Sequence, residues 1–141
     1  LNTPTTFLHG DWRLDNVFFD EQGPKVIDFQ ITGLGNGAYD LGYFVSQSLE
    51  REVRNGRESE LVQRYVDVMA ECGVECSFAD VMFDFKIAVA QCFVYGVASF
   101  PSYDALPERS QDLMRVLLGR SAQAIEDLDV LSVIDEVPQP S

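Results

Sequence analysis

The sequence contains very little cysteine and histidine: Cys72, Cys76, Cys92 and a single His, His9, among 141 residues. The cysteines lack the paired spacing of a zinc site, and their odd number indicates no disulfide framework. Unpaired cysteine is typical of a reducing compartment, so we expect a cytoplasmic protein. A lone His is more often structural than catalytic, and we assign His9 no direct chemical role.

Basic residues are also scarce. Ten Lys and Arg stand against 23 Asp and Glu, which gives a formal net charge of −13. A charge of this sign disfavours nucleic acid or an anionic membrane as a partner. The sequence also shows no internal repeat, no low-complexity segment and no secretory signal.

Uninterrupted apolar runs of membrane-spanning length are absent. The most apolar segment extends to Phe100, and Asp80, Asp84, Lys86 and Gln91 interrupt it. Because a span needs about 20 mostly apolar residues, we expect no membrane span here. The segment instead predicts a central helix that is apolar on nearly every face.

What the sequence does contain is a dense polar motif near its N-terminal end. His9-Gly-Asp-Trp-Arg-Leu-Asp-Asn16 has the pattern His-x-Asp-x-x-x-x-Asn, and an apolar run ending in Asp28-Phe29 follows it. Phosphoryl transfer depends on positioning and charge neutralisation, so a few oxygen ligands at fixed separations can carry it. Asp and Asn are common in turns, but turn chemistry alone does not explain this combination and spacing. The motif therefore indicates kinase-type chemistry.

The motif resembles the aminoglycoside phosphotransferase and choline kinase-like superfamily rather than the protein kinases. Gly10 follows the His where protein kinases have Arg, and Gln30 follows Asp-Phe where they have Gly. The later element Asp40-Leu-Gly-Tyr-Phe44 is most similar to the ecdysteroid-kinase-like branch of the superfamily. The resemblance covers residues 5–50.

The resemblance implies a reaction and a set of site residues. Asp11 would be the catalytic base that orients the substrate hydroxyl, and Asn16 and Asp28 would be the ligands of Mg²⁺. The terminal phosphate of ATP or GTP would pass to a hydroxyl of a small-molecule acceptor. Mg²⁺ usually takes only one or two protein oxygens while phosphates and water complete its shell, so no larger metal cage is expected.

Three neighbouring residues receive supporting roles. The resemblance implies that His9 supports the backbone around the Asp-Phe element and that Asp40 hydrogen-bonds the backbone of the catalytic loop. Arg13 stands two residues after the proposed base, where a cation could neutralise phosphate charge. A solvated Arg13, or one paired with Asp15, fits the sequence equally well.

The predicted fold class is α+β and mostly α, a protein kinase-like C-terminal lobe in which a short β-hairpin carries the catalytic and metal-binding loops before a helical bundle. Strands are predicted at residues 16–20 and 25–29, joined by a turn. From Tyr39 onward the pattern is helical. A long first helix is predicted to end at Asn55-Gly56, and a second at Gly73. A third is expected from a Ser77 cap to Phe100, and a last one from Pro107.

The upstream parts of a kinase are not recognisable. Such a site needs a Gly-rich turn over the phosphates and a strand Lys paired with a helix Glu, whereas only a few residues precede the motif. We therefore expect residues 1–141 to be a single domain, the catalytic and substrate-binding lobe of a longer protein. Its partners would be the missing N-terminal lobe, a nucleotide and the acceptor. The isolated fragment is expected to be inactive.

Two other functions and two acceptor classes stay open. The fold could serve as an inactive pseudokinase scaffold, and Gly33-Leu-Gly-Asn-Gly-Ala38 fits a dinucleotide-binding turn, although no second strand follows it. Otherwise these glycines would form a flexible loop near substrate. The acidic residues would suit a cationic acceptor, whereas the aromatic ones would suit a lipid or steroid alcohol. The candidates are Asp80, Asp84, Asp104 and Glu108 for the first class, and Phe93, Tyr95 and Tyr103 for the second.

Overall fold

The computed structural model describes residues 3–134 and residue 137, and its architecture is α+β and mostly helical, as predicted. Two small antiparallel sheets precede a helical bundle, consistent with a kinase-like C-terminal lobe. The strands are β1 (Thr5–Leu8), β2 (Val17–Asp20), β3 (Gly23–Val26) and β4 (Gly33–Asn36). The helices are α1 (Ala38–Ser48), α2 (Arg51–Arg54), α3 (Glu58–Glu71), α4 (Phe78–Ser99), α5 (Glu108–Asp127) and α6 (Leu131–Ile134). Two 3-10 turns, Leu14–Asn16 and Phe100–Ala105, complete the described chain.

The predicted hairpin is present but shorter than expected. Strands β2 and β3 pair antiparallel around a two-residue turn, and Asn16 belongs to the preceding 3-10 turn rather than to the strand. The second strand ends at Val26 instead of reaching Phe29. Asp28 has a φ of 65°, in the left-handed region, which a β-strand does not accommodate. The chain therefore leaves the hairpin just before Asp28, one of the two proposed metal ligands.

The glycine-rich segment after the hairpin is a strand, not a flexible loop. Strand β4 pairs antiparallel with β1, which the sequence did not predict. The amide of Asn36 donates to Asp84 Oδ2, and the same carboxylate oxygen accepts bonds from Thr3 N (3.1 Å) and Thr3 Oγ1 (2.8 Å). A dinucleotide-binding turn requires a parallel βαβ unit. Because β4 pairs with an antiparallel strand, the dinucleotide alternative is wrong.

Helix α4 is the central helix, and it packs more extensively against α1 than against any other element. Gly42 of α1 allows this close approach, since a Cβ there would lie 2.7 Å from Ala88 Cβ. The buried apolar core comprises Ala38, Val45, Val62, Val81, Phe85, Val89, Ala124 and Val130. Near the C-terminal end of α4, however, Val94 is 59% exposed, so the apolar residues that the sequence places on nearly every face of this helix are not all buried. By length and composition alone, the stretch Phe78–Ala105 could cross a membrane.

The first predicted helix is broken in two. Leu49 adopts an extended conformation after α1, and Val53, an apolar residue of the predicted helix, is 47% exposed. The break lets Arg54 of α2 turn inward. Its guanidinium is buried and bonds Glu58 Oε1 at 2.5 Å and Asp127 Oδ2 at 2.6 Å. A buried ion-pair network therefore joins α2 and α3 to the end of α5.

The ends of the later helices follow the predicted signals. Gly73 has a φ of 78° just after α3, and Ser77 Oγ accepts a hydrogen bond of 3.0 Å from Asp80 N to cap α4. Helix α5 begins directly after Pro107. The C-terminal tail at residues 138–141 lies outside the described residues.

Candidate active site

The catalytic-loop backbone is held by one carboxylate of helix α1. Asp40 Oδ2 accepts a hydrogen bond from His9 N at 2.7 Å, and Asp40 Oδ1 accepts one from Gly10 N at 3.0 Å. Gly10 has a φ of 86°, and a Cβ at this position would lie 2.6 Å from the backbone oxygen of Ile31. Only glycine fits there without strain. The loop geometry therefore agrees with the supporting role inferred for Asp40.

His9 links the two halves of the motif. Asp11 N donates to His9 Nδ1 at 3.3 Å, which places the proton of the neutral ring on Nε2, and Nε2 donates to the Ile27 oxygen at 2.8 Å. The ring is 2% exposed and packs against Trp12 and Phe29. Its bonds reach the backbone on both sides of the site, so the structure agrees with a structural role.

Both oxygens of the Asp11 carboxylate are held in place. Tyr43 Oη donates to Oδ1 at 2.8 Å, and Asn16 Nδ2 donates to Oδ2 at 3.1 Å and to the Asp11 backbone oxygen at 2.9 Å. Arg13 Nε lies 3.1 Å from Oδ1, whereas Arg13 Nη1 lies 4.0 Å from Asp15. Arg13 is therefore mainly a partner of Asp11, a contact that the sequence did not predict.

Tyr43 is the residue that sequence reasoning missed. It appeared only as part of a family element, although its position three residues after Asp40 places both side chains on one face of a helix. Burial raises the pKa of the Tyr43 phenol, and the hydrogen bond to Asp11 raises it further. The phenol therefore stays protonated and donates to the carboxylate at neutral pH. Ser48, the last residue of α1, similarly anchors the loop, because its hydroxyl oxygen accepts a hydrogen bond from Leu14 N at 3.0 Å.

The two proposed metal ligands emerge at the same end of the hairpin. Ile27 N donates to the Asn16 backbone oxygen at 2.9 Å, and Asp28 follows Ile27 directly. Asp28 is exposed, and no other described residue forms a hydrogen bond or ion pair with its carboxylate. Asn16 uses Nδ2 to bond Asp11, which leaves its Oδ1 as an acceptor.

These donors fit a hard cation that keeps most of its shell for phosphates and water. They supply one carboxylate and one amide oxygen, as expected for Mg²⁺ held between protein and nucleotide. Within residues 3–134 and 137, no cluster of three or more His, Cys, Asp or Glu side chains is arranged to hold a metal.

Comparison with known proteins agrees with this geometry. The sequence model of the phosphotransferase enzyme family matches residues 1–72, just over half of the chain. The chain belongs to this family. The match places it in the aminoglycoside phosphotransferase and choline kinase-like superfamily and gives it a phosphotransferase-like kinase fold, but does not identify the ecdysteroid-kinase-like branch. Neither a curated protein nor a solved structure matches the chain.

Two adjoining cavities lie beside the candidate site of this phosphotransferase family member. The first, of about 300 Å³, is bounded by α1, α4 and α5. The second, of about 510 Å³, extends toward the catalytic loop at Gly10. Tyr43, Tyr95 and Ser99 line both cavities. Most of the first cavity is built by α4 and α5, which lie beyond the part of the chain that the family model matches.

Proposed function

We propose that Asp11, Asn16 and Asp28 form the site of a Mg²⁺-dependent kinase that transfers the terminal phosphate of ATP or GTP to a hydroxyl of a small-molecule acceptor. One observation carries the proposal. The Asp11 carboxylate is oriented by Tyr43 and Asn16 at the end of the hairpin where the exposed Asp28 carboxylate has no partner among the described residues. Belonging to a phosphotransferase family supports the same chemistry.

In the proposed reaction, Asp11 accepts a hydrogen bond from the acceptor hydroxyl and orients it toward the terminal phosphorus. A bond forms between the acceptor oxygen and that phosphorus, and the bond from phosphorus to the bridging oxygen breaks. The nucleoside diphosphate leaves, and the hydroxyl proton passes to Asp11. Of the two carboxylate oxygens, Oδ2 has Asn16 Nδ2 as its one donor among the described residues, so a lone pair remains for the acceptor.

Asn16 joins the base to the metal ligands in this proposal. Its Nδ2 orients Asp11, while its Oδ1 and the Asp28 carboxylate would hold Mg²⁺. The bound ion would neutralise charge on the phosphates during transfer. Asp40 and His9 keep the backbone of this loop in register and take no direct part in the chemistry.

We also propose that residues 1–141 act as the C-terminal lobe of a longer cytoplasmic protein. A kinase site requires a Gly-rich turn and a Lys–Glu ion pair to hold the nucleotide. Phosphorylation of an acceptor by residues 1–141 alone would contradict this proposal.

The test is Mg²⁺-dependent consumption of ATP or GTP by the intact protein, measured across aminoglycosides, amino alcohols, sugars and neutral alcohols. Acceptor-stimulated consumption that disappears in Asp11→Asn, with nucleotide affinity largely retained, is the expected result. Near-normal turnover in Asp11→Asn would remove Asp11 as the base. No stimulation and no nucleotide binding by the intact protein would favour the inactive scaffold instead.

A further inference from the structure

The first cavity lies next to the proposed catalytic base. The Tyr43 ring lines this cavity, and its hydroxyl bonds Asp11 Oδ1 at 2.8 Å. The second cavity continues along Tyr43 to Gly10, the residue that precedes Asp11. A small molecule in these adjoining spaces would therefore lie against the loop that carries the base.

The walls of both cavities carry no charged side chain. In a chain with 23 acidic residues, every described residue that lines either space is apolar, aromatic or a neutral polar residue. Burial raises the pKa of the Cys92 thiol to about 12, so this wall residue is also neutral at physiological pH. A few polar groups interrupt the apolar lining, among them Gln47, Ser99 and Ser110.

The four acidic residues that were candidates for binding a cationic acceptor line neither cavity. Asp84 is buried and accepts hydrogen bonds from Thr3 and Asn36, and Asp80 bonds Ser77 at the cap of α4. Asp104 and Glu108 are exposed and line neither cavity. None of these four carboxylates therefore contributes negative charge to the walls of the two adjoining cavities.

We propose that these adjoining cavities bind the acceptor, and that this acceptor is an uncharged alcohol with a largely apolar body. The inference rests on the proposed kinase function. Moving an ammonium group from water into a neutral cavity is unfavourable unless a carboxylate pairs with it. Apolar atoms gain from burial there, and the few polar side chains can orient a hydroxyl, as in most small-molecule sites.

As in the proposed function, the alcohol oxygen gains the phosphoryl group and the hydroxyl proton passes to Asp11. Leu113, Met114 and Leu117 of α5 form part of the first cavity wall and would select for the apolar body of the alcohol. Substitutions there should change the KM for the acceptor more than the affinity for the nucleotide.

The experiment uses the intact protein and pairs of acceptors that differ by one amine. Neutral alcohols such as cyclohexylmethanol and phenylethanol are compared with analogues that carry an added amino group, and with kanamycin as a polycation. We expect at least one neutral alcohol to stimulate nucleotide consumption, with a kcat/KM at least about tenfold above that of its amine analogue.

A pair of variants on one helix tests the location. Leu113→Phe places extra volume in the first cavity and should raise the KM for the neutral alcohol about tenfold. Val116→Phe, on the exposed face of α5 and outside both cavities, is the matched control and should behave like wild type. If Leu113→Phe lowers the melting temperature, Ser110→Phe is the replacement variant, because it adds volume to the same cavity from the first turn of α5.

The results distinguish a wrong acceptor class, a wrong cavity and a wrong kinase proposal. Turnover of amines in preference to neutral alcohols, lost in Asp11→Asn, would overturn the assignment of the acceptor while the kinase proposal stands. Equal KM values in Leu113→Phe and Val116→Phe would overturn the assignment of the cavity. No stimulation by any acceptor would overturn the kinase proposal itself, and this inference with it.

Discussion

Tyr43 Oη lies 2.8 Å from Asp11 Oδ1, so helix α1 holds the carboxylate that we propose as the catalytic base. The same helix holds the loop backbone, since Asp40 accepts bonds from His9 N and Gly10 N. Residues three apart share one helix face. A single helix therefore orients both the main chain of the loop and the side chain of the proposed base.

Tyr43→Phe should lower kcat about tenfold, equivalent to about 1.4 kcal/mol, because it removes one hydrogen bond to a charged group while keeping the ring. Nucleotide affinity should not change. The measurement is steady-state turnover of the intact protein with its best acceptor. Tyr65→Phe is the control, since this phenol lies against Gly37 and away from Asp11. Equal effects of the two substitutions on kcat would contradict an orienting role for Tyr43.

Asp28→Asn should weaken binding of the Mg²⁺-nucleotide about tenfold and also reduce turnover, because it replaces a carboxylate donor with a neutral amide oxygen. Higher Mg²⁺ concentrations should restore part of the lost activity. Titration of nucleotide at several Mg²⁺ concentrations measures both effects. Asp20→Asn, an exposed substitution on the same hairpin, should leave both quantities unchanged. Wild-type affinity in Asp28→Asn at low Mg²⁺ would exclude Asp28 as a ligand.

Asp40→Asn should lower the free energy of unfolding by about 1–3 kcal/mol, because His9 N and Gly10 N bond different oxygens of the carboxylate and an NH2 group, which cannot accept, would replace one of them. Turnover should fall as well, since the loop carrying Asp11 loses part of its support. Chemical denaturation and turnover are measured together. The exposed Asp104→Asn serves as the control for a loss of charge alone. Unchanged stability with unchanged turnover would show that Asp40 is dispensable for the loop.

Asp127 should make the stability of the protein depend on pH in acid. Hydrogen bonds from Arg51 and Arg54 hold the pKa of Asp127 below its usual value, despite the opposing effect of burial. A carboxyl whose pKa is lower in the folded state stabilises that state above its unfolded pKa of about 3.9, and this contribution is lost as the pH falls through the folded pKa.

Asp127→Asn should therefore lower the melting temperature at pH 7, and the difference from wild type should shrink as the pH falls below about 4. Asp112→Asn removes a carboxylate from an exposed ion pair with Arg115 and should have little effect at either pH. Thermal unfolding across this pH range tests the prediction. A pH-independent difference between wild type and Asp127→Asn would mean that the lost charge is not the cause.

Much of the fold and of the candidate site could be predicted because their signals are local. The Ser77 cap, the glycine at position 73 and the start of α5 depend on a few neighbouring residues, and the structure agrees with each. The motif spacing likewise brings Asn16 and Asp28 to one end of a hairpin, because antiparallel pairing sets which residues are opposite. Family membership was also readable from this segment.

Other features depend on contacts between distant segments. The pairing of β1 with β4 needs strands 28 residues apart to meet, and the glycine-rich β4 shows no strand pattern of its own. The break after α1 accompanies the burial of Arg54 against Asp127, a partner 73 residues away. Periodicity describes one helix at a time and carries no information about such partners.

The amino-acid sequence alone was sufficient to predict the family and to name the candidate site residues, because kinase-type chemistry needs particular residue types at particular separations. It could not decide how that site is held or what lies beside it. The bond from Tyr43 to Asp11 and the uncharged cavities between helices arise only when α1, α4 and α5 pack together. Packing brings together side chains that are far apart in the chain, and it directs the acidic residues away from the space where the acceptor is proposed to bind.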